Sequence, residues 1–298
     1  MTQAVFAVLR DRAVLEVAGD DRVAFLQGLV STDVETAGPG RALHAAFLTA
    51  QGKYLHDFFI AEFGGALVLD CEAARADDLR KRLSIYRLRA KATVEARPDL
   101  AVAAAFGEGA LDALKLAAEP GAAAPLEGGV AFTDPRLAAA GARAILPAET
   151  AEAALAKAGL AQCEAAAYDR LRLELGLPDG SRDMVPEKSI LLENGFEELN
   201  GVDWDKGCFL GQELTARTHY RGLVKKRLMP VAIDGEAPAP GTVVRLGDKE
   251  AGEMRSSADG LGLALLRLDA VEAAARDGAP LTADAARLTP RKPDWAAY

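Results

Sequence analysis

Lys206-Gly207-Cys208-Phe209-Leu210-Gly211-Gln212-Glu213 is the stretch of this sequence that carries the most information about fold and chemistry. It sets Cys208 between two glycines, two residues after a lysine and directly ahead of the helix-forming run Gln-Glu-Leu-Thr-Ala-Arg. Unpaired backbone N–H groups at a helix N-terminus and a neighbouring ammonium both favour a thiolate. Gly207 and Gly211 can adopt backbone conformations closed to other residues and let a ligand approach the main chain. Taken residue by residue, a reactive thiol and a buried cysteine beside a tight turn are equally good interpretations.

As a whole, the stretch resembles the signature K-G-C-[FY]-x-G-Q-E of the YgfZ family of folate-binding proteins. That family is related to the T-protein, the aminomethyltransferase of the glycine cleavage system. Every fixed position of the signature is filled, including Lys206, Gln212 and Glu213. Residues 15–34, 51–57 and 170–178 are also similar to segments of the family, so the resemblance covers nearly the whole chain.

The resemblance implies an α+β fold in which residues 1–225 form two interleaved, ferredoxin-like (split-βαβ) mixed domains and residues 226–298 form a small β-barrel. In the family these domains make a ring around a folate pocket. Tetrahydrofolate is therefore the expected cofactor. The expected partners are folate and the assembly or client proteins of iron–sulfur clusters.

The polar and apolar pattern is compatible with this organisation. It predicts two units with the order strand, hairpin, helix, strand, as in a ferredoxin-like core. The predicted strands are 12–17, 54–63, 66–70, 87–96, 100–106, 130–132 and 142–146, with helices at 73–83, 150–158 and 163–176 and a flexible connection at 117–129. Short strand-like runs at 228–233, 242–246, 250–256 and 261–268 indicate a small closed or sandwiched β domain.

Length and composition limit the class of protein. Half of the 298 residues are hydrophobic, which is enough for real cores. The sequence has no run of about 18 apolar residues that could span a membrane, and its first residues lack the layout of a secretory signal. We therefore expect a protein of the cytoplasm that is not bound to a membrane. We also expect a monomer.

Charge and cysteine content exclude further functions. A net charge of −9 argues against nucleic-acid binding as the main task, although the basic residues within 217–227 could meet the carboxylates of a folate tail. The three cysteines, Cys71, Cys163 and Cys208, are too few to hold an iron–sulfur cluster alone, which usually takes four. No histidine has metal-ligand spacing, so we expect no metal site.

Asp57 is the carboxylate that the pattern singles out. In a strand over 54–60, side chains alternate, so Leu55, Asp57 and Phe59 share one face. A carboxylate between two apolar residues suits general acid or base catalysis, whereas a charge on an edge strand that discourages aggregation is the competing interpretation. The strand is similar to the T-protein strand that ends in a catalytic aspartate. The T-protein pattern Gly-Gly-x-x-Asp-Asp is altered here at Lys53 and His56.

Four further residues are candidates for folate contacts. The resemblance implies that Glu174 bonds the pterin ring, which suits a bidentate carboxylate, while an exposed pair with Arg170 is the alternative. Arg172 could orient Glu174 or meet a ligand carboxylate, and a place on a solvated face is an equally good interpretation. Trp204 could line a flat ring together with Phe209, although such aromatic residues more often belong to the core. Arg221 belongs to the basic run after the motif.

Three functions follow from these observations. The first, implied by the resemblance, is a folate-binding accessory protein for iron–sulfur cluster assembly or repair, in which Cys208 acts as nucleophile, redox group or transient ligand. The second is a tetrahydrofolate-dependent aminomethyl or one-carbon transferase, with Asp57 as its catalytic carboxylate; the altered strand leaves open whether the chain is an enzyme. The third is an interaction scaffold that does not bind folate.

Overall fold

The computed structural model describes residues 3–222 and 224–297. In chain order, their strands are β1 (Val5–Val8), β2 (Arg12–Ala18), β3 (Leu43–Leu48), β4 (Tyr54–Phe63), β5 (Ala66–Glu72), β6 (Thr93–Ala96), β7 (Leu100–Phe106), β8 (Ala123–Leu126), β9 (Gly129–Thr133), β10 (Ala142–Pro147), β11 (Ala161–Gln162), β12 (Lys226–Asp234), β13 (Val243–Leu246), β14 (Lys249–Ala258), β15 (Leu261–Arg267), β16 (Leu281–Ala283) and β17 (Ala286–Pro290). Their α-helices are α1 (Arg22–Gln27), α2 (Ala76–Tyr86), α3 (Ala110–Ala113), α4 (Ala151–Lys157), α5 (Ala165–Leu175), α6 (Gly180–Asp183), α7 (Gln212–Tyr220) and α8 (Leu268–Asp277).

These elements belong to two structural units, each made of segments that are distant in the sequence. Unit 1 contains residues 3–48, 55–168 and 199–210, and unit 2 contains residues 49–54, 169–198, 211–222 and 224–297. No helix in the described part of the chain has the length and apolar character needed to cross a membrane.

Unit 1 contains two sheets. One has five strands in the order β3-β4-β5-β2-β6, and the other has six in the order β11-β1-β7-β10-β9-β8. The first sheet packs Val17, Phe58 and Ile60 against Leu26 of α1 and Leu83 of α2. The core beside the second sheet is built largely from alanines, which leave little side-chain volume between its strands and helices.

A buried ion-pair network joins the two sheets of unit 1. Asp70 on β5 accepts hydrogen bonds from Arg12 Nε on β2 and from Arg143 Nη1 on β10, each at 2.6 Å. Arg143 also donates to the hydroxyl of Tyr168 at 3.2 Å. Because Asp70 has no solvent exposure, the two guanidinium groups provide the charge compensation that water would otherwise give.

Unit 2 contains the predicted β domain, and it is a closed barrel. Its six strands follow the order β12-β15-β14-β13-β16-β17. The four predicted runs correspond to β12, β13, β14 and β15. The sequence pattern missed α8 and the two short strands that complete the barrel. Met229, Val231, Met254 and Leu266 are among the residues that fill its interior.

Two predictions of local structure are wrong. The predicted strand over 87–96 is a turn at Arg87–Arg89, and β6 begins only at Thr93. The cause lies at Leu88, whose φ of 46° is left-handed and cannot belong to a strand. The supposed flexible connection at 117–129 contains β8, which pairs with β9 along four residues despite its proline.

The Asp70 network generates a stability prediction. In Asp70→Asn the side chain keeps its shape but loses its charge, so Arg12 and Arg143 lose the buried carboxylate with which both of them pair. We expect the free energy of unfolding to fall by about 3–5 kcal/mol, measured by urea denaturation. Asp269→Asn, which affects an exposed ion pair with Arg267, serves as the control and should change stability by no more than about 1 kcal/mol. Equal effects in the two variants would contradict the role assigned to Asp70.

Candidate functional site

The segment before the cysteine motif is fastened to the residues that follow α1. Ser31 Oγ donates to the carbonyl of Gly201 at 2.5 Å, and the backbone N–H of Asp203 donates to the carbonyl of Ser31 at 2.9 Å. Beyond the motif's cysteine, the N–H of Leu210 donates to the carbonyl of Gly28 at 3.0 Å. The segment 201–210 is therefore held on both sides of Cys208 by bonds to residues 28–31.

Lys206 supplies the strongest of these attachments. Its ammonium donates to the carbonyl oxygens of Gln27 at 2.7 Å and Val30 at 2.5 Å, at the C-terminal end of α1. A cation there meets the negative end of the helix dipole. The Nζ atom also lies 5.2 Å from the ring centroid of Phe209. Partial burial lowers the pKa of Lys206 from 10.5 to about 8.

This geometry corrects the role predicted for Lys206. The sequence suggested that its ammonium favours the thiolate of Cys208. In the structure the ammonium donates to two backbone carbonyls instead, so Lys206 anchors the loop that carries Cys208. The partners of Lys206 lie 176 and 179 positions away in the chain. The local sequence pattern therefore carried no signal of this role.

Cys208 itself is exposed, which rules out the interpretation of a buried cysteine. Gly207 before it has a φ of +88°, with open space where a Cβ would lie. Phe209 after it is buried. The chain thus turns outward at the cysteine and inward at the next residue, which presents the thiol to solvent from an anchored loop.

The other two cysteines differ from Cys208. Cys71 is buried in the core of unit 1, and burial raises the pKa of its thiol to about 12. Cys163 is half-buried, and burial raises its pKa as well. Since the thiolate is the form that attacks and that binds metals, both surroundings disfavour the reactive form.

The last residues of the motif begin unit 2. Gly211 has a φ of +79° and is the N-cap of α7, which starts at Gln212, four residues after Cys208. Glu213 lies exposed in the first turn of that helix, where a negative charge is favourable. Gly52 packs against this helix start, and a Cβ on it would come within 2.6 Å of the Gly211 carbonyl oxygen. Both glycines therefore occupy positions that a larger residue could not take without strain.

Asp57 lies in the interior of unit 1, 5% exposed. Its Oδ2 is 3.5 Å from His44 Nε2, and burial lowers the pKa of that histidine. His44 also stacks on Phe59 at 5.2 Å between ring centroids, so Asp57 and Phe59 face the same side as predicted. Leu55 instead packs in the cluster that contains Phe58 and Ile60.

Three arginines also lie close to the ring of Phe59. The guanidinium carbons of Arg143, Arg136 and Arg12 lie 3.9, 4.9 and 5.9 Å from its ring centroid. Arg136 forms a bidentate pair with buried Asp134, and the two arginines beside it hold the pKa of Asp134 down, at about 2. Asp57 is thus bordered by fixed charges that the sequence reasoning did not identify.

The predicted folate contacts have different environments. Glu174 is exposed on α5, and its carboxylate pairs with Arg170 Nε at 3.1 Å, as the alternative interpretation had it. Arg172 is buried: it donates to Asp169 at 2.5 Å, Asp183 at 2.8 Å and Ser256 at 2.8 Å. These bonds use the guanidinium inside unit 2. The contact of Arg172 with a ligand carboxylate stays a prediction.

The basic run after the motif is only partly available. Arg221 is exposed at the end of α7, and Trp204 is half-buried. Arg227 is buried and donates to the carbonyl of Leu192 at 2.9 Å and to Glu198 at 2.8 Å. The ring of His219 pairs with Glu197 at 2.8 Å. The cations left for a ligand are mainly those on the exposed end of α7.

Unit 1 also contains a cavity of about 320 Å³ that the sequence did not predict. Its polar lining includes Thr32, Arg41, His44, Glu119, Asn200 and Asp203. The hydroxyl of Thr32 is buried and has no hydrogen-bond partner among the described residues, so it can bond a polar ligand. No group of three or more metal-binding side chains occurs in the part of the chain that the structure describes.

Comparison with known proteins gives consistent relatives. Residues 225–298 match the family described as CAF17, C-terminal beta-barrel domain. The chain is 34% identical over 289 residues to the mitochondrial iron–sulfur cluster assembly factor IBA57 of Mus musculus, covering 89% of this chain and 78% of that protein. It is 34% identical over 308 residues to the Homo sapiens protein of the same name, covering 96% and 84%.

Among solved structures, the chain resembles the glycine cleavage system aminomethyltransferase T of Bartonella henselae. The TM-score is 0.78, and the match covers 99% of this chain and 87% of that one at 15% sequence identity. The fold is therefore the predicted one, with mixed α and β domains followed by a barrel. At this identity the likeness concerns the fold alone.

The predicted cytoplasmic location is contradicted by these relatives. The IBA57 proteins of mouse, human and Neurospora crassa that the chain matches are all named as mitochondrial. The prediction rested on the residues at the start of the sequence and on the absence of an apolar span. Neither observation distinguishes one internal compartment from another.

The attachment of Lys206 generates a second stability prediction. Lys206→Met keeps the length of the stem but leaves the Gln27 and Val30 carbonyls without their donor. We expect the free energy of unfolding at neutral pH to fall by about 1.5–3 kcal/mol, the usual effect of a charged hydrogen bond. Lys225→Met, at an exposed lysine, should change it by no more than about 0.5 kcal/mol.

The lowered pKa of Lys206 adds a pH dependence with a definite sign. Between its folded pKa of about 8 and its ordinary value of 10.5, the unfolded chain binds more protons at this position than the folded one. The stability that Lys206 contributes therefore rises with pH across this window. The difference between wild type and Lys206→Met should widen from pH 8 to pH 10; a constant or narrowing difference would contradict the burial of the amine.

Proposed function

The chain belongs to the family of the iron–sulfur cluster assembly factor IBA57, and on this premise we propose that it assists the assembly or repair of iron–sulfur clusters through the thiol of Cys208. The names of its relatives support a role in iron–sulfur cluster assembly. The anchored loop that exposes the Cys208 thiol supports the choice of this residue. The likeness of residues 206–213 to the YgfZ signature, noted in the sequence, belongs to the same proposal.

The observation that carries the proposal is the exposure of one thiol on a loop fixed from both sides. A single cysteine supplies one ligand, whereas a cluster usually needs four. Cys71 and Cys163 lie in surroundings that disfavour the thiolate. The cluster is therefore cargo that Cys208 contacts while a client or assembly protein supplies the remaining ligands.

Anchoring has a chemical consequence for such a transient ligand. A thiol on a mobile loop would lose conformational entropy each time it bound. The bonds from Lys206, Ser31 and Leu210 order this loop as the unit folds, so that cost is met before the cluster arrives. The Lys206 ammonium serves this anchoring through its bonds to the Gln27 and Val30 carbonyls.

We further propose that the chain binds tetrahydrofolate. The exposed carboxylate of Glu174 is compatible with bonding of a pterin, because Arg170 is an exposed partner that a ligand can displace at little cost. The exposed cations at the end of α7, including Arg221, could meet the acidic tail of the ligand. Arg172 has no part in this proposal, since its donors are used within unit 2.

The first functional prediction concerns Cys208→Ser, which removes the soft thiolate ligand and keeps the size of the side chain. In cells that lack the endogenous protein, the variant should fail to restore the activities of iron–sulfur enzymes, while its melting temperature stays unchanged. Cys163→Ser is the matched control and should restore them fully. Normal restoration by Cys208→Ser would reject the thiol and favour the interaction scaffold.

The second functional prediction concerns Glu174→Gln, which removes the charge of the proposed pterin acceptor. Calorimetry with tetrahydrofolate should show binding weakened by about 1.5–3 kcal/mol, or roughly 10- to 150-fold in Kd. Glu272→Gln, on the exposed face of α8, should leave the affinity unchanged. Unchanged affinity in Glu174→Gln would remove this residue from the site, and no binding by wild type would remove folate from the proposal.

Aminomethyl transfer is the alternative that the same samples can test. Asp57 is its candidate catalytic carboxylate, and here that group lies buried against His44. We expect no ammonia release from an aminomethylated lipoyl carrier. Turnover in the common enzyme range of about 1–10³ s⁻¹ that disappears in Asp57→Asn would make the transferase the better assignment.

A further inference from the structure

The last turn of α2 and the chain turn that follows it expose a group of apolar side chains that the proposed function does not use. Ile85 is 70% exposed and Leu88 is 87% exposed. Tyr86 between them is 41% exposed, and its ring makes an edge contact with buried Phe47 at 5.9 Å. Among the described residues, only Tyr220 and Val243 are other large hydrophobic side chains with comparable exposure. We call residues 80–91 the basic turn.

The basic turn is strongly positive on an acidic protein. Residues 80–91 contain six lysines and arginines and no acidic residue, although the chain as a whole carries −9. Arg80 and Arg82 pair with acids of their own helix, Asp77 and Asp78. Within residues 3–222 and 224–297, the remaining four cations have no ion-pair partner; they are Lys81, Arg87, Arg89 and Lys91. A third acidic side chain, Asp21, accepts from the Lys91 backbone N–H at 2.7 Å.

Leu88 is unfavourable in the isolated protein in two independent ways. Its side chain leaves apolar surface in water, which costs free energy in proportion to its area. Its backbone has a φ of 46°, a region that glycine, asparagine and aspartate tolerate better than a branched apolar residue. A strained residue whose side chain makes no use of the protein interior is a reason to look for a function.

From these observations we propose that the basic turn is a docking surface for an acidic protein. The partner presents a small apolar pocket that takes Leu88 and Ile85, bordered by carboxylates that pair with Arg87, Arg89 and Lys91. Interfaces of this kind combine a desolvated apolar centre with a charged rim that sets orientation and association rate. The four unpaired cations supply that rim.

Charge argues for a protein partner over a membrane or a nucleic acid. An extended anionic surface interacts with the field of the whole chain, which is negative. A protein's acidic patch is small enough to feel mainly the local charge of residues 80–91, because other charges are screened beyond about 10 Å at ordinary ionic strength. Two exposed aliphatic side chains also fit a pocket better than a lipid surface, where binding grows with the apolar area inserted.

Two variants separate docking from folding. Leu88→Asn removes the apolar contact at a backbone conformation that asparagine accepts, so the melting temperature should stay equal or rise. Arg87→Glu/Arg89→Glu reverses two rim charges. Lys249→Glu/Arg287→Glu changes the net charge by the same amount at exposed barrel positions and is the matched control.

The test begins with a photoreactive p-benzoylphenylalanine at Leu88 in the full chain, with Val243 as the control position. Adducts formed in living cells are identified by mass spectrometry, and the protein found is purified and titrated into the wild type and the variants by calorimetry. We expect one acidic protein, bound at least about tenfold more weakly by Leu88→Asn and by Arg87→Glu/Arg89→Glu, with unchanged affinity for the control variant. Raised salt should weaken the wild-type complex more than the Arg87→Glu/Arg89→Glu complex.

Four results would overturn the proposal. They are the lack of any protein adduct specific to position 88, an adduct with a second copy of this chain alone, equal affinity of the purified partner for the wild type and both variants, and binding of the wild type to phosphatidylserine vesicles that the Leu88→Asn change abolishes. None of these measurements depends on Cys208 or on folate. Their outcome is therefore independent of the proposed role in iron–sulfur cluster assembly.

Discussion

The ammonium of Lys206, bonded to two carbonyl oxygens at the end of α1, is the interaction on which the candidate site depends. It joins residues that are 176 and 179 positions apart in the sequence, so the loop that carries Cys208 takes its form only when unit 1 is folded. Burial of the amine carries a cost, visible in its lowered pKa, and the helix end and the Phe209 ring offset it. As a result of this burial, the fold fixes the position of the Cys208 loop while the thiol itself remains exposed to solvent.

In the interior of unit 1, charged groups likewise fix the position of structural elements, here the two sheets. Alanine-rich strands such as β7 leave little apolar volume to make one packing unique, and large side chains that interdigitate usually supply that uniqueness. Here Asp70, Arg12 and Arg143 join the two sheets through directed bonds. Phe59 lies among three guanidinium groups and His44, and Asp57 borders this cluster. A carboxylate that must exchange protons with a substrate needs access and a setting that can relax, and these fixed neighbours restrict both.

What the sequence could predict depended on whether the cause was local. The strand over 54–63 and its Gly64-Gly65 hairpin follow from alternation and turn chemistry, and the structure contains both. Gly207 and Gly211 have the left-handed conformations expected of them. The strand predicted over 87–96 was wrong because Leu88 has a positive φ, which a leucine in the sequence does not indicate. The roles of Arg172 and Lys206 could not be predicted because partners such as Ser256 and Val30 are far away in the sequence.

The chain shares its fold with an aminomethyltransferase, and its own side chains at the two candidate positions lie in opposite environments. The architecture is common to both, yet the side chain presented to solvent here is a thiol, and the carboxylate at the candidate catalytic position is enclosed. A thiol that offers one ligand can act on a cluster only in combination with another protein. The acidic character of the chain as a whole would repel many partners, so a local positive surface is a physical means of selecting those that approach. The basic turn has the charge and the exposed leucine that such selection requires.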